Sequence, residues 1–236
     1  MHFGVITFPG SNCDEDMRYV LGQKLGQQVS ALWHKDTHLG DVDVVVLPGG
    51  FSYGDYLRSG AIAKYSPIMQ AVKQFAADGG FVLGVCNGFQ ILCESGLLPG
   101  ALMHNKSHKF ICKNVELSVA SKESPLTADL NTDRTFRIPI AHGEGNFFGS
   151  KELLDELESN GQVLFRYCNT EGEATEESNP NGSLNNIAGI CNANRNVMGM
   201  MPHPERAADL ELGNTDGELL FQSLIANVLK SSKTKV

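Results

Sequence analysis

A cysteine flanked by glycines is the residue of this sequence best placed for covalent chemistry. The apolar run of residues 81–85 leads into Gly84-Val85-Cys86-Asn87-Gly88, and a second apolar segment follows. This Gly-x-Cys-x-Gly spacing is that of a nucleophile elbow, a sharp turn from a strand into a helix. Glycines there permit close packing and a strained backbone, and the helix N-terminus favours a thiolate on Cys86. The alternative is an inert buried cysteine at a tight join.

A histidine and a carboxylate near the end of the chain could complete a nucleophilic triad. In Met201-Pro202-His203-Pro204-Glu205, two prolines force the preceding residues into an extended conformation. Residues two apart in an extended chain point to the same side, so Glu205 can orient the His203 ring while its other nitrogen faces a thiol. A nucleophilic triad of Cys, His and an orienting carboxylate is defined by the role of each residue, and the three can occur in any order along the chain. Taken alone, the His-Pro-Glu motif is more typical of a surface loop with a histidine that has no catalytic role.

Acyl transfer to a thiol also needs donors for the oxyanion that develops. The pair Gly49-Gly50 follows a predicted strand and offers exposed backbone N–H groups. The N–H of Asn87, directly after the cysteine, offers another. Because glycine pairs are common in turns, Gly50 and Asn87 are donor candidates only in combination with the elbow.

The elements around these residues alternate between strands and helices. We predict strands over residues 3–8, 28–33, 43–47 and 81–85 and helices over 14–25 and 67–77. In the second half we predict strands over 113–119, 134–139, 162–168, 187–191 and 197–201, a surface helix or turn over 151–159, and a helix over 216–229. Near-continuous apolar strands between helices indicate a parallel sheet covered on both faces, with sites at the carboxyl ends of its strands. We therefore predict an α/β fold: a flavodoxin-like, open, twisted, mostly parallel sheet with helices on both faces and a small antiparallel or mixed extension, forming one domain over residues 1–236.

The composition excludes several classes of protein. A formal net charge of −8 over 236 residues disfavours nucleic-acid binding, which needs a basic face. The six cysteines form no C-x-x-C pair and are irregularly spaced, which favours reduced thiols over zinc or a disulfide framework. His104 and His108 lack further ligands nearby, so we predict no metal. Without a charged leader or an apolar run of about 20 residues, we expect a cytoplasmic protein with no membrane segment.

Several motifs together resemble one known family. They are Phe8-Pro9-Gly10-Ser11-Asn12-Cys13-Asp14, Pro48-Gly49-Gly50, Gly50-Phe51-Ser52-Tyr53-Gly54-Asp55-Tyr56-Leu57-Arg58, Gly84-Val85-Cys86-Asn87-Gly88-Phe89-Gln90, Pro139-Ile140-Ala141-His142-Gly143-Glu144-Gly145, Asn179-Pro180-Asn181-Gly182-Ser183 and Met200-Met201-Pro202-His203-Pro204-Glu205-Arg206. The set is similar to class I (triad) glutamine amidotransferases. Within that family it resembles the glutaminase subunits of phosphoribosylformylglycinamidine synthase, an enzyme of purine biosynthesis. The resemblance extends from the first strand to at least Arg206.

The resemblance implies an activity and a role for each matched residue. Cys86 would attack the side-chain amide of glutamine, His203 would carry the proton, and Glu205 would orient His203. Gly50 and Asn87 would supply the oxyanion N–H groups. The residues implied in holding glutamine are Gly49, Gln90, His142, Gly143 and Glu144. The ammonia would pass to a large synthetase subunit, which binds ATP and Mg and amidates formylglycinamide ribonucleotide. No cofactor is expected on this chain, and a third small subunit is left open.

The loop after the glycine pair is a candidate partner interface. Two tyrosines and an arginine in one loop are typical of an interface hot spot, although a loop packed on its own domain has the same composition. The resemblance favours docking of the partner through Tyr53, Asp55, Tyr56 and Arg58, beside the glutamine pocket.

Two other functions fit parts of the pattern. A stand-alone cysteine hydrolase or peptidase would keep the elbow but need neither partner nor docking loop. A non-enzymatic thiol sensor would give His203 and Glu205 no role.

Overall fold

The computed structural model describes residues 1–234, with side chains up to residue 231, and contains one large sheet. The strands are β1 (His2–Thr7), β2 (Gln28–Trp33), β3 (Val44–Leu47), β4 (Phe81–Val85), β5 (Ala101–Met103), β6 (Ile111–Val119), β7 (Phe136–His142), β8 (Asn146–Phe148), β9 (Val163–Cys168), β10 (Ile187–Cys191) and β11 (Val197–Met200). The α-helices are α1 (Asp14–Arg18), α2 (Ile68–Ala77), α3 (Asn87–Glu94), α4 (Lys151–Ser159) and α5 (Asp216–Thr234).

The nine-stranded sheet has a parallel half and an antiparallel half. Strands β2-β1-β3-β4-β11 are parallel neighbours, and β10-β9-β6-β7 continue the sheet with antiparallel pairing. The parallel order is that of the flavodoxin-like fold. The predicted fold class is therefore confirmed, and the antiparallel extension amounts to four strands of the main sheet.

Burial explains why these segments form a parallel sheet. All four residues of β3 and of β11 are buried, as continuous Val, Leu and Met runs require when both faces are covered. Helices α1, α2 and α3 pack against β1, β4 and the strands beside them. The last strand of the parallel half, β11, comes from the end of the chain, so the sheet brings residues near 200 beside residues near 85.

The loops that follow β1, β3, β4 and β11 meet at one edge of the sheet. The change in chain direction lies between β1 and β3, where ligand sites form in open α/β sheets. Phe51 N donates to the Gly10 carbonyl oxygen at 2.9 Å, and Cys13 N donates to the Gly49 carbonyl oxygen at 3.3 Å. These bonds tie the first two loops together beside the cysteine turn.

Some local features differ from the prediction. The helix expected over residues 14–25 is α1 followed by a π-helix, Tyr19–Lys24, in which Leu25 N donates to the Val20 carbonyl oxygen at 2.9 Å. Two three-residue strands, β5 and β8, were not predicted and pair as a separate small sheet. None of the helices within residues 1–234 has the length and apolar character needed to span a membrane.

Candidate active site

Cys86 lies on the sharp turn between β4 and α3. Its φ of 50° and ψ of −105° are outside the regions that L-residues favour, a strain of about 1–3 kcal/mol that is typical of functional sites. A Cβ at Gly88 would lie 1.8 Å from the Leu47 carbonyl oxygen, so only glycine lets α3 approach β3 here. Cys86 N donates to the Met200 carbonyl oxygen at 2.8 Å, which fixes the turn to the end of β11.

His203 and Glu205 form a buried pair on the segment after β11. His203 Nδ1 lies 2.6 Å from Glu205 Oε1, and the two residues are 1% and 2% exposed. The backbone of His203 donates to the Pro139 carbonyl oxygen at 2.8 Å. The sequence predicted that these two side chains would meet, but through an extended segment. Glu205 lies instead in a short 3₁₀ helix, Pro204–Arg206, that begins directly after His203.

The charges around His203 favour its protonated form. Burial by itself lowers the pKa of His203, but the charges of Glu205 and Cys86, with hydrogen bonding to Cys13 and Cys86, outweigh it and raise the pKa well above the ordinary value. His203 Nε2 is buried and makes no hydrogen bond of good geometry to any described residue. Cys86 Sγ is directed to the Ala141 carbonyl oxygen at 3.7 Å. The imidazole therefore has one nitrogen held by Glu205, while the thiols of Cys86 and Cys13 lie close enough to the ring to influence its charge.

The two oxyanion candidates reach Cys86 from different loops: Asn87 follows it in the chain, and Gly50 lines the same cavity. Gly50 has a φ of 144°, and a Cβ there would lie 2.8 Å from Asn12 N and from Ser11 Cα. Asn87 is the first residue of α3, so its N–H has no acceptor within the helix. The Asn87 side chain accepts from Ser52 N at 3.0 Å and donates to Gln90 Oε1 at 2.9 Å.

A cavity of about 160 Å³ opens beside Cys86. Its lining residues include five that the sequence singled out for oxyanion or glutamine binding, namely Gly50, Gln90, His142, Gly143 and Glu144, together with Phe51, Asp55, Ser59, His104, Phe110 and Ala141. Gly49, also predicted to bind glutamine, does not line this cavity. A Cβ on Gly49 would lie 2.6 Å from His203 Cε1, so this glycine contacts the imidazole instead.

The residues lining the cavity are fixed by hydrogen bonds within the chain. Gln90 Nε2 donates to the Glu144 carbonyl oxygen at 2.5 Å. Asn105, which is fully buried and was not predicted, donates to the His142 and Lys109 carbonyl oxygens, each at 2.8 Å. Its Oδ1 lies 3.0 Å from His142 Nδ1 and accepts from Gly145 N at 3.1 Å. Burial, and then the charge of His203, lower the pKa of His142 to about 4.

Comparison with known proteins identifies the family. Residues 1–218 match the sequence profile of the CobB/CobQ-like glutamine amidotransferase domain. The chain belongs to this family.

Relatives of known name agree with this assignment. The chain is 54% identical to the phosphoribosylformylglycinamidine synthase subunit PurQ of Koribacter versatilis, over 98% of this chain and 100% of that protein. It is 57% identical to the subunit of the same name from Trichormus variabilis, over 97% and 99% of the two chains. A solved structure titled PurLQS from Thermotoga maritima superposes with a TM-score of 0.85 and 41% identity, covering 96% of this chain and 98% of that one. Neither a stand-alone peptidase nor a thiol sensor is supported by these relatives.

A second cysteine lies beside the His203–Glu205 pair of this amidotransferase domain. The sulfur of Cys13, a ring nitrogen of His203 and a carboxylate oxygen of Glu205, which are atoms that could bind a metal ion, lie within 4.8 Å of one another. Cys13 is 2% exposed. Arg206 Nη2 donates to Cys13 Sγ at 3.2 Å. This fixed positive charge disfavours a cation beside the sulfur, so we assign no metal to the group. Burial raises the pKa of the Cys13 thiol, which favours its neutral form over a second thiolate.

The candidate partner loop of the amidotransferase domain separates into exposed and internal residues. Tyr56 is 71% exposed, and Arg58 is exposed while its guanidinium pairs with Glu94 at 2.6 and 2.8 Å. Tyr53 instead packs against the core, and its hydroxyl lies 2.7 Å from His34 Nδ1 and 2.9 Å from Ser66 Oγ. Asp55 lines the cavity beside Cys86. The prediction that all four residues face a partner is therefore not supported for Tyr53 and Asp55, because composition does not tell which side of a loop each residue takes.

Proposed function

We propose that this chain is the glutaminase subunit of phosphoribosylformylglycinamidine synthase. It hydrolyses glutamine to glutamate and ammonia and supplies the ammonia for amidation of formylglycinamide ribonucleotide in purine biosynthesis. The observation that carries the proposal is the 54–57% identity to subunits of that name over nearly the whole of both chains. The His203–Glu205 pair beside a thiol and a small cavity supplies the chemistry that such a subunit needs.

In the proposed reaction, the Cys86 thiolate attacks the side-chain carbonyl carbon of glutamine. Protonated His203 gives its proton to the leaving nitrogen, so that ammonia departs and a glutamyl thioester remains on Cys86. Glu205 holds the imidazole in the required tautomer. The N–H groups of Gly50 and Asn87 stabilise the oxyanion. Water activated by neutral His203 then attacks the thioester, which releases glutamate and restores the thiolate and the imidazolium.

The other predicted site residues have supporting roles in this proposal. Gln90, His142, Gly143 and Glu144 shape the cavity and hold the glutamine. Gly49 gives His203 the space to turn its ring toward Cys86, which replaces the glutamine contact expected from the sequence. The whole chain, residues 1–236, is proposed to act as one domain, because β11 from its end completes the parallel half of the sheet.

We further propose that the chain works in a complex. The partners are a large synthetase subunit, which binds ATP and Mg, and a third small subunit, in keeping with the PurLQS title of the structural relative. Tyr56 and Arg58 are the candidate docking residues. No cofactor is proposed on this chain. All six cysteines are free, which supports the cytoplasm as its compartment.

Co-purification followed by an amidation assay tests this function. The chain is mixed with the synthetase subunits of the same organism, and amidation of formylglycinamide ribonucleotide is measured with glutamine or with ammonium as the nitrogen donor. We expect Cys86→Ala to abolish the glutamine-dependent rate and leave the ammonium-dependent rate intact. Brisk glutamine hydrolysis by the isolated chain, with no increase on adding the synthetase, would favour a stand-alone hydrolase instead.

A further inference from the structure

The turn that follows β7 forms one wall of the cavity beside Cys86. It comprises residues 142–145, of which His142, Gly143 and Glu144 line the cavity. The turn connects β7 to β8, and its residues after His142 belong to neither strand. Since buried backbone N–H and C=O groups need hydrogen-bond partners, other parts of the chain must supply them.

Asn105 supplies three of these partners. Its backbone N–H donates to the Gly143 carbonyl oxygen at 2.9 Å. Its side-chain Nδ2 donates to the His142 carbonyl oxygen at 2.8 Å, and its Oδ1 accepts from Gly145 N at 3.1 Å. One residue therefore holds the first, second and last positions of the turn.

The loop of residues 179–183 also holds the turn. Asn181 Nδ2 donates to the Gly145 carbonyl oxygen at 2.8 Å, and Ser183 Oγ donates to the same oxygen at 3.2 Å. Lys106 N in turn donates to the Asn181 carbonyl oxygen at 2.8 Å. The turn is therefore held by two segments that contact each other but are far apart in the sequence.

Asn105 also determines which nitrogen of His142 carries the proton. Asn105 is fully buried, and its Nδ2 donates to the carbonyl oxygens of His142 and Lys109, each at 2.8 Å. Its Oδ1 can then only accept, so His142 Nδ1, at 3.0 Å, is the donor. Because burial and the charge of His203 lower the pKa of His142 to about 4, the ring is neutral at pH 7, with its single proton on Nδ1.

The ring of His142 packs on the last residue of the turn. A Cβ at Gly145 would lie 2.3 Å from His142 Cε1 and 2.4 Å from His142 Nδ1, so only glycine leaves room for the ring. The orientation of the ring and the path of the turn therefore depend on each other. Asn105 Oδ1 bonds to both of them.

We infer that Asn105 is a positioning residue for the glutamine cavity, which fixes the turn of residues 142–145 and the tautomer of His142. Asn105 is not among the residues that line the cavity beside Cys86, so it acts through the turn. The inference rests on the proposed function, in which this cavity binds glutamine. Because the turn contains neither the nucleophile, the base nor an oxyanion donor, its displacement weakens substrate binding more than the chemical step.

Glutamine kinetics of the reconstituted complex test this role. Asn105→Ala removes four side-chain hydrogen bonds. We expect it to raise the KM for glutamine roughly 10- to 100-fold, since a misplacement of about 1 Å can cost that much, with kcat within about threefold of the wild type. The ammonium-dependent rate should not change. Asn105→Asp has the same size and keeps the acceptor oxygens, so it should raise this KM through the loss of the two donated bonds alone.

Asn196→Ala is the matched control. Asn196 is 4% exposed, and its Nδ2 also donates to two carbonyl oxygens, those of Ala76 and Gly80, each at 2.8 Å. It lies directly before β11, whereas Cys86 follows the end of the parallel strand β4 beside it. The variant loses comparable bonds at the opposite end of these strands, so the KM for glutamine should stay at the wild-type value.

Nitrogen-15 NMR of the full chain gives a readout that a general loss of stability would not move. At pH 7 we expect His142 of the wild type to be protonated at Nδ1. Asn105→Ala removes the acceptor, so the Nε2-protonated tautomer should appear as well. Asn105→Asp keeps an acceptor and should retain the wild-type tautomer.

The outcomes separate the positioning role from the proposed function. An unchanged KM for glutamine in Asn105→Ala, or an equal rise in Asn196→Ala, would refute the role while glutamine hydrolysis stands. A wild-type His142 protonated at Nε2 would refute it too, and this measurement decides if neither Asn105 variant folds. If the wild-type complex does not hydrolyse glutamine, the proposed function fails, and the tautomer still tests the bond from His142 to Asn105.

Discussion

A methyl group added at Gly49 should impair glutamine hydrolysis without touching the substrate. The Cβ of Gly49→Ala would lie 2.6 Å from His203 Cε1, 3.2 Å from His203 Nδ1 and 3.1 Å from Cys13 Sγ. Gly49 is not in the left-handed region of backbone space, so alanine adds no dihedral strain there. The effect of the substitution is therefore a steric push on the imidazole.

The size of the effect follows from the distances. Ordinary van der Waals contact begins at 3.4 Å, so the ring or the loop must move by about 0.8 Å. A misplacement of about 1 Å can cost roughly 100-fold in rate when reacting groups must be aligned. We expect the glutamine-dependent kcat of the complex to fall on the order of 100-fold. The ammonium-dependent rate should not change, because the synthetase reaction does not use His203.

Steady-state amidation with each nitrogen donor measures this prediction. Gly22→Ala is the matched control: its Cβ would meet only Val29 Cγ2, at 3.6 Å, and its φ is not positive. A Gly49→Ala complex with wild-type glutamine-dependent activity would refute the position assigned to His203. Equal loss with both donors would instead indicate a damaged complex.

Three further substitutions test separate parts of the structure. Glu205→Gln removes a charge that raises the pKa of His203, so this pKa should fall. The glutamine-dependent kcat should drop by roughly 10³-fold or more, and pH–rate profiles with glutamine and with ammonium as donors measure both effects. Asp55→Asn should stabilise the chain by about 1 kcal/mol at pH 7, after discounting for partial exposure, or about 2–4 °C in thermal unfolding. Because burial raises the pKa of Asp55 from 3.8 to about 6, the wild type loses stability as pH rises between these values, so the advantage of the variant should be smaller at pH 4. Asn181→Ala should cost about 2 kcal/mol in urea unfolding, since buried Asn181 donates to the Gly145 carbonyl oxygen at 2.8 Å.

Each of these has an outcome that contradicts it. A Glu205→Gln complex with an unchanged pH–rate profile would show that the carboxylate does not act on His203. An Asp55→Asn chain that is less stable than the wild type at pH 7 would mean that the Asp55 carboxylate is not strained by burial. If Asn181→Ala unfolded at the same urea concentration as the wild type, the loop from Asn179 to Ser183 would not depend on the hydrogen bond from Asn181 to the Gly145 carbonyl oxygen.

The parallel half of the fold was largely predictable because β3, β4 and β11 are short, nearly continuous apolar runs. Strands over residues 28–33, 81–85 and 187–191 were predicted with the observed bounds. Asn87 and Gly88 follow the second of these strands, and Asn192 follows the third. Strands β5 and β8 were missed because three residues carry too little pattern. The π-helix after α1 has the composition of an ordinary helix, and only packing distinguishes it.

The site was predictable where chemistry depends on local spacing. The contact of His203 with Glu205 was predicted and is 2.6 Å long, although a 3₁₀ turn brings the two side chains together and not the extended chain that we expected. Asn105 was missed as part of the site because its contacts with His142 and Gly145 join segments that are far apart in the chain. For Asp55, composition indicated a docking loop, whereas the structure places this residue among those that line the cavity.

The covalent intermediate gives the most direct test of the account. The complex is mixed with glutamine, quenched in acid within its turnover time, digested and examined by mass spectrometry for a glutamyl group on cysteine. We predict the adduct on the peptide that contains Cys86, its loss in Cys86→Ser, and its persistence in Cys13→Ser. An adduct on Cys13, or full glutamine-dependent activity in Cys86→Ser, would contradict the assignment of Cys86 as the nucleophile.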